Sequence, residues 1–78
     1  LRFYADDPVA NTNAAVAALK AKRYDEAAAL LNKAGNLPEA ENARGVLATF
    51  KGDYESAASH FEKAGSLPEA QKNKALLE

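Results

Sequence analysis

The chain repeats itself at a fixed offset of 30 residues, and this repeat limits the folds that the chain can adopt. The segment from Tyr24 to Leu47 aligns without gaps with the segment from Tyr54 to Leu77, and 11 of the 24 aligned pairs are identical. A period between about 20 and 50 residues is typical of stacked supersecondary units, each of which buries its apolar face against a neighbour. The repeat therefore predicts an array of similar units.

The longest block shared by the two copies predicts the end of one helix and the start of the next. It reads KAGNLPEA in the first copy and KAGSLPEA in the second. Gly35 and Gly65 suit the left-handed position just past a helix end, and the prolines that follow suit a first helical turn. Asn36 and Ser66 each precede a glutamate by three positions, which is the capping-box spacing, so both are predicted N-caps.

Apolar residues between these blocks recur with the helical period, and no segment alternates as a core strand would. Asp7 and Asp53 are suitable N-caps for two further helices, whereas Arg23, the counterpart of Asp53, is not. We therefore predict five helices, over residues 8–21, 24–34, 37–50, 54–64 and 67–77.

Two apolar stripes are predicted to form the core. One lies on the second helix of each unit and includes Tyr24 and Tyr54, which we interpret as packing anchors because they recur at the repeat period. Phe61 lies on the same stripe. The other stripe lies on the helix predicted over residues 37–50 and contains Ala43, Val46, Leu47 and Phe50.

The predicted fold class is all-α, an antiparallel helix-pair superhelical array of about two and a half repeats. Residues 8–78 are expected to form one helical-repeat domain with helix pairs at 8–34 and 37–64. The helix at 67–77 is rich in polar residues, which suits the end of a stack. Residues 1–7 are expected to form an extended stub.

Composition and charge favour a binding role over catalysis. The net charge is −1, with 10 basic and 11 acidic residues, so there is no clustered excess of Lys and Arg for nucleic acid. Without cysteine, and with His60 as the lone histidine, the chain offers no zinc ligand set. No acidic pair is spaced for acid–base catalysis, and no nucleophile or phosphate-binding motif is present. We expect no enzyme activity and no cofactor.

Two further expectations follow from the sequence. No apolar run approaches the roughly 20 residues that a membrane span needs, so this segment is not expected to insert into a membrane. The chain begins at Leu1 and contains no Met, so we expect it to be part of a larger protein.

Four residues of the second copy resemble a known repeat family. Gly45, Ala57, Phe61 and Ala64 follow a Gly–x11–Ala–x3–Phe–x2–Ala spacing, which is similar to the tetratricopeptide (TPR) repeat. The first copy matches in weaker form through Ala15, Ala27, Leu31 and Ala34. The resemblance covers about residues 9–77.

The chain departs from the TPR pattern in two respects. Its period is 30 residues, whereas a TPR repeat has about 34. Arg44 and Lys51 stand where the family usually has large apolar residues, so we expect an altered superhelical curvature. The segment NARGVLATFKGDY, together with the KAGxLPEA motif, also resembles helical-repeat segments attached to OmpA-like envelope proteins of bacteria. This resemblance implies a location in the bacterial cell envelope or periplasm.

The TPR resemblance implies a partner-binding face. TPR arrays bind extended peptides along a concave face lined by the first helix of each pair. On that face the resemblance places eight residues, namely Asn13, Val16, Lys20, Asn42, Val46, Thr49, Lys72 and Asn73. Asparagine amides there offer both a donor and an acceptor to a peptide backbone. The subtype that clamps a terminal carboxylate needs Asn where this chain has Val16 and Val46, so it is not expected.

Three functions remain open from the sequence. The first is a protein–protein interaction module that binds a peptide segment or an adjacent domain of the parent protein. The second is a structural spacer or docking repeat of a cell-envelope protein, with no external ligand. The third is an RNA-binding array of the pentatricopeptide kind, which would need a basic groove and a longer repeat.

Overall fold

The computed structural model describes residues 7–65 and 67–77, and the described chain is all-α. Its helices are α1 (Pro8–Lys20), α2 (Tyr24–Leu31), α3 (Pro38–Phe50), α4 (Tyr54–Lys63) and α5 (Pro68–Leu77). The number of helices and the fold class predicted from the repeat are confirmed for this part of the chain. The stub predicted at residues 1–7 lies outside it except for Asp7, and the cap predicted at Ser66 lies outside it as well.

Two of the predicted N-caps are confirmed by their hydrogen bonds. The Asp7 carboxylate accepts from the Val9 and Ala10 amides at 3.0 and 3.2 Å, and Asp53 accepts from the Ser56 amide at 3.2 Å. Each bond satisfies a backbone N–H that the first helical turn leaves without a partner. Arg23 stands at the start of α2 without a side-chain cap, as its residue type predicts.

The N-cap predicted at Asn36 is wrong. Helix α3 takes Leu37 as its N-cap, with no side-chain bond to the helix amides. Because Pro38 is the first helical residue, Asn36 lies one position before the N-cap, and it does not form a capping box with Glu39. The proline, with its fixed φ, determines the start of the helix here.

The predicted end of α2 is also wrong. The sequence predicts a helix to residue 34, but the α-helix ends at Leu31. The next amides bond three residues back, Lys33 to the Leu30 carbonyl and Ala34 to the Leu31 carbonyl, so the chain tightens before the left-handed Gly35. Gly35 and Gly65 have φ of +71° and +68°, which confirms their predicted conformation.

The helices pack in two layers. Each helix contacts the next along the chain, and the short turns between them require neighbouring helices to run antiparallel. Helix α3 also contacts both α1 and α5, whereas α2 and α4, as described, do not contact each other. Because α1 and α5 each contact α3 while α2 and α4 remain apart, α1, α3 and α5 form the inner side of the array.

The core divides into two clusters that Val46 joins. The first lies between the first three helices and holds several leucines, among them Leu19, Leu30 and Leu31. Among the described residues, the second holds one large buried side chain, Phe61, with four buried alanines and the partly buried Val46 and Leu67. Phe61 is therefore the main large side chain of the core that the structure describes in this half of the array.

Two aromatic residues predicted to be buried are instead exposed. Tyr54 is 59% exposed and Phe50 is 57% exposed, although both lie on predicted apolar stripes. Tyr24, the counterpart of Tyr54, is half-buried, and its ring lies 5.2 Å from that of Phe50. The packing role therefore holds for Tyr24 and fails for Tyr54.

Helix α5 is held to α4 by an exposed ion pair. Lys74 Nζ donates to Glu62 Oε1 at 2.8 Å. This hydrogen bond, with the charge of Lys74, lowers the pKa of Glu62 below the ordinary value of a glutamate. The carboxylate form is favoured when folded, so this small contribution is present above that value and is lost as the pH falls through the lowered pKa.

The turn between α1 and α2 contains a strained residue that the second copy replaces with glycine. Lys22 has φ of +62°, and its counterpart Gly52 has φ of +81°. A side chain with Cβ costs about 1 kcal/mol in this region, so Lys22→Gly is expected to raise the free energy of unfolding by about that amount. For a domain of this size the melting temperature should rise by roughly 4–8 °C.

The matched control for this prediction is Gly52→Ala, which should destabilise the chain by a similar amount. No neighbouring atom lies within 4 Å of the added Cβ, so the effect would come from the backbone alone. A Lys22→Gly variant that melts at the wild-type temperature would contradict the left-handed turn.

Candidate functional site

The candidate site is a groove on the inner side of the array, between the end of α3, the start of α4 and helix α5. It has a volume of 380 Å³ and is open to solvent on one side. Its walls are Val46, Thr49, Phe50, Tyr54, Phe61, Asn73 and Leu76. A groove of this size with mainly apolar walls and a few polar groups is typical of ligand sites.

The rim of the groove is apolar and exposed. Phe50, Tyr54 and Leu76 are 57%, 59% and 77% exposed, and all three line the groove. Exposed apolar side chains are ordinary when scattered, but a contiguous set around a concavity indicates an interaction surface.

The groove also contains polar groups. The Asn73 amide donates to Asn42 Oδ1 at 3.1 Å, which joins α5 to α3. Each amide carries two N–H groups and one carbonyl oxygen, so the pair retains donor and acceptor capacity beyond its mutual bond. The Thr49 hydroxyl donates to the Gly45 carbonyl at 2.9 Å, so its methyl and its oxygen lone pairs remain for the groove.

The structure brings together four of the eight residues placed on the partner face from the sequence. Val46, Thr49 and Asn73 line the groove, and Asn42 is hydrogen-bonded to Asn73. The other four do not line it. Lys72 is exposed on α5, and on α1 Asn13 and Lys20 are exposed while Val16 packs against the first core cluster.

Sequence reasoning missed four residues of the groove, namely Phe50, Tyr54, Phe61 and Leu76. It assigned the three aromatic residues to the core. One signal was available, because Phe50 replaces the Lys20 of the first copy. A large apolar residue at a position where the other copy carries a charge indicates that the two positions have different surroundings.

A second cluster lies on the opposite side of α3 and has a structural role. Glu41 is buried, and its Oε1 lies 2.9 Å from His60 Nδ1 and 3.5 Å from Arg44 Nη1. Arg44 Nη2 also donates to the Leu31 carbonyl at 2.7 Å, where α2 ends. The cluster thus joins α2, α3 and α4.

The sequence did not predict this cluster. Glu41 lies in the first turn of α3 but is buried in the array. His60 is partly exposed, and its contact with Glu41 joins two helices. The spacing of Glu41 and Arg44, three residues apart on one helix, was the available signal. Among the described residues no group of three or more His, Asp and Glu could hold a metal ion.

We expect Arg44→Ala to lower the free energy of unfolding by about 2 kcal/mol, because it removes a charged hydrogen bond and leaves the buried Glu41 with fewer partners. The matched control is Lys74→Ala, which removes the repeat-equivalent residue from an exposed pair and should cost much less. Chemical denaturation of both variants measures which one loses more free energy of unfolding. Equal losses would show that the Arg44 contacts stabilise the fold no more than an exposed ion pair does.

Comparison of the chain with models of protein families, with curated proteins and with solved structures returned no match. No described helix has the length and apolarity that crossing a membrane requires.

Proposed function

We propose that this chain is a protein–protein interaction module, a short TPR-like helical array that binds a peptide segment of a partner in the groove between α3, α4 and α5. The module forms part of a larger protein, binds without a cofactor and performs no catalytic step. The resemblance of the second copy to TPR repeats supports the class of module, and the geometry of the groove supports the place of binding.

The observation that carries the proposal is the combination, in one 380 Å³ groove, of an exposed apolar rim with the Asn73 amide, which is bonded to Asn42 outside the groove lining. The rim can bury apolar side chains of a bound segment, and each buried methylene stabilises a complex by about 0.8 kcal/mol. The amides of Asn42 and Asn73 can hydrogen-bond to peptide groups that would otherwise lose their water. A bound peptide needs both kinds of contact.

The test of this proposal is the selection of 12-residue peptides on the 78-residue chain, followed by measurement of their affinity for variants. Leu76→Gln removes an exposed apolar side chain from the rim and is expected to weaken selected peptides about tenfold, the equivalent of one lost leucine contact.

Val9→Gln is the matched control, since Val9 is 57% exposed on α1 and does not line the groove. It is expected to leave the affinity unchanged. Both substitutions are neutral in charge, so neither alters the helix dipole interactions. The proposed function would be refuted if Leu76→Gln leaves the affinity of the selected peptides unchanged, or if the selection yields no binding peptide.

A spacer or docking role is the second candidate, and a different surface favours it. At the other end of the array, α1 and α2 present a shallow hollow of 280 Å³ lined by four alanines, Arg23, Glu26 and Leu30. Small side chains allow another helix to approach closely. In this role the array packs on an adjacent domain through that end, and the groove binds no external ligand.

A further inference from the structure

We propose that a second site, on the outer side of the array, binds a glutamate side chain of a partner protein. The site is a hollow of 220 Å³ between α2 and α4, with α3 as its floor, and we name it the outer hollow. It forms because α2 and α4, as described, both pack on α3 without contacting each other. Its walls come from residues 28–60, and it shares no residue with the groove.

The cations of the outer hollow come from one stripe of α3 that differs between the two copies of the repeat. Arg44, Ala48 and Lys51 are spaced four and three residues apart, so they lie on one face of the helix, and all three line the outer hollow. The corresponding stripe of α1 consists of three alanines, namely Ala14, Ala18 and Ala21. The second copy therefore has two long cationic side chains at positions where the first copy has only methyl groups.

Both cations keep hydrogen-bond donors for a ligand. Arg44 Nη2 donates to the Leu31 carbonyl and Nη1 lies 3.5 Å from Glu41, but a guanidinium has five N–H groups, so others remain. The Lys51 side chain is exposed, and among the described residues its ammonium group has no hydrogen bond or ion pair. The two groups can therefore donate to both oxygens of one carboxylate.

The two acids at the outer hollow are already engaged by the fold. Asp53 accepts a hydrogen bond at 3.2 Å from an amide of the first turn of α4, and the buried Glu41 lies 2.9 Å from His60 Nδ1. Since these two acids balance the two cations, the outer hollow has no excess charge. It suits a singly charged carboxylate better than a phosphate, which carries nearly two charges at neutral pH.

The remaining walls are apolar and favour glutamate over aspartate. Ala28, Leu31 and Leu47 line the outer hollow, so the methylenes of a glutamate can pack on them while its carboxylate reaches the cations. An engineered cavity of roughly 150 Å³ accepts benzene, so 220 Å³ has room for this side chain. Aspartate has one methylene fewer, which corresponds to a loss of about fourfold in affinity.

The experiment titrates the 78-residue chain with glutamate blocked at both ends, as N-acetyl-glutamate N-methylamide, and follows the amide chemical shifts. We expect saturable changes at Asn32, Ala48 and Lys51. Blocked glutamine has the same shape without the charge and should bind at least tenfold more weakly, and blocked aspartate about fourfold more weakly. Changes that do not saturate, or equal affinities for blocked glutamate and blocked glutamine, would overturn the proposal.

Lys51→Ala tests the cation without disturbing the core, because the side chain is exposed and the first copy has alanine at this position. It should weaken the binding of blocked glutamate about two- to tenfold, with a melting temperature close to that of the wild type. Lys63→Ala is the matched control, since Lys63 is an exposed lysine of α4 that does not line the outer hollow. Equal effects of the two variants would show a general charge effect and refute the site.

Two further ligands test where the carboxylate comes from. If free glutamate or inorganic phosphate binds more tightly than blocked glutamate, the outer hollow is a small-molecule site and the proposal is overturned. Peptides selected for the groove should bind Lys51→Ala and the wild type equally, because Lys51 does not line the groove. This inference and the proposed function therefore fail or stand independently.

Discussion

Truncating Phe61 to alanine is expected to lower the free energy of unfolding by about 3–5 kcal/mol, the usual cost of removing a large buried aromatic side chain. The ring is 2% exposed and, among the residues that the structure describes, is the one large buried side chain of the second core cluster, whose other buried members are alanines. These alanines cannot fill the space that the ring leaves. A chain of this length has roughly 4–12 kcal/mol of stability in total, so the cooperative melt should be lost or strongly lowered.

Thermal unfolding followed by circular dichroism checks this prediction, and Phe50→Ala is the matched control. Phe50 is also a phenylalanine, on the adjacent helix, but it is 57% exposed. Its removal should cost far less because most of its surface is already in water. Should Phe61→Ala unfold at the same temperature as Phe50→Ala, the assignment of the second core cluster is wrong.

Gly45→Ala is expected to destabilise the chain by about 1–3 kcal/mol, although alanine is the better helix former. An added Cβ would lie 2.5 Å from Phe61 Cδ1 and 2.8 Å from Phe61 Cζ. Because Phe61 is buried and closely surrounded, the ring cannot move away without disturbing its neighbours. This clash outweighs the gain of about 1 kcal/mol that alanine brings to a helix interior.

The first copy of the repeat indicates how to relieve this clash. Its equivalents of Gly45 and Phe61 are Ala15 and Leu31, both buried at 0% and 2% exposure. Both copies thus have a small residue at the first position and a large one at the second, and the larger ring of Phe61 leaves space only for glycine at position 45. The double variant Gly45→Ala with Phe61→Leu should therefore be more stable than the sum of the two single losses predicts.

Chemical denaturation of the wild type, both single variants and the double variant gives the coupling energy, which we expect to be at least about 1 kcal/mol in the direction of rescue. Additive losses would contradict the contact between Gly45 and Phe61. They would also remove the physical reason for the spacing of these residues, on which the resemblance to TPR repeats partly rests.

The sequence predicts the helices well because local chemistry sets most of their boundaries. Asp7 and Asp53 cap helices through hydrogen bonds to amides within three residues. The glycines adopt a left-handed backbone conformation because of their residue type alone, without help from distant contacts. The errors arose where two local signals compete. Pro38 determined a helix start that Asn36 was expected to determine.

The groove was harder to predict because periodicity shows which stripe is apolar and not what covers it. Tyr24 and Tyr54 have the same local sequence pattern, but among the described residues only Tyr24 has a ring from the next helix against it. The contact of Glu41 with His60 spans 19 residues, and no local rule selects such a pair. The amide pair of Asn42 and Asn73, 31 residues apart, was missed as a contact for the same reason.

The most direct test of the central claim, that the inner groove is the interaction surface, is an amide chemical-shift map of the 78-residue chain titrated with its best selected peptide. If the groove binds the peptide, we expect the largest amide chemical-shift changes at five groove residues, namely Val46, Thr49, Tyr54, Asn73 and Leu76. Changes concentrated on the alanine-lined end of α1 and α2 would contradict it and would identify that end as the docking surface.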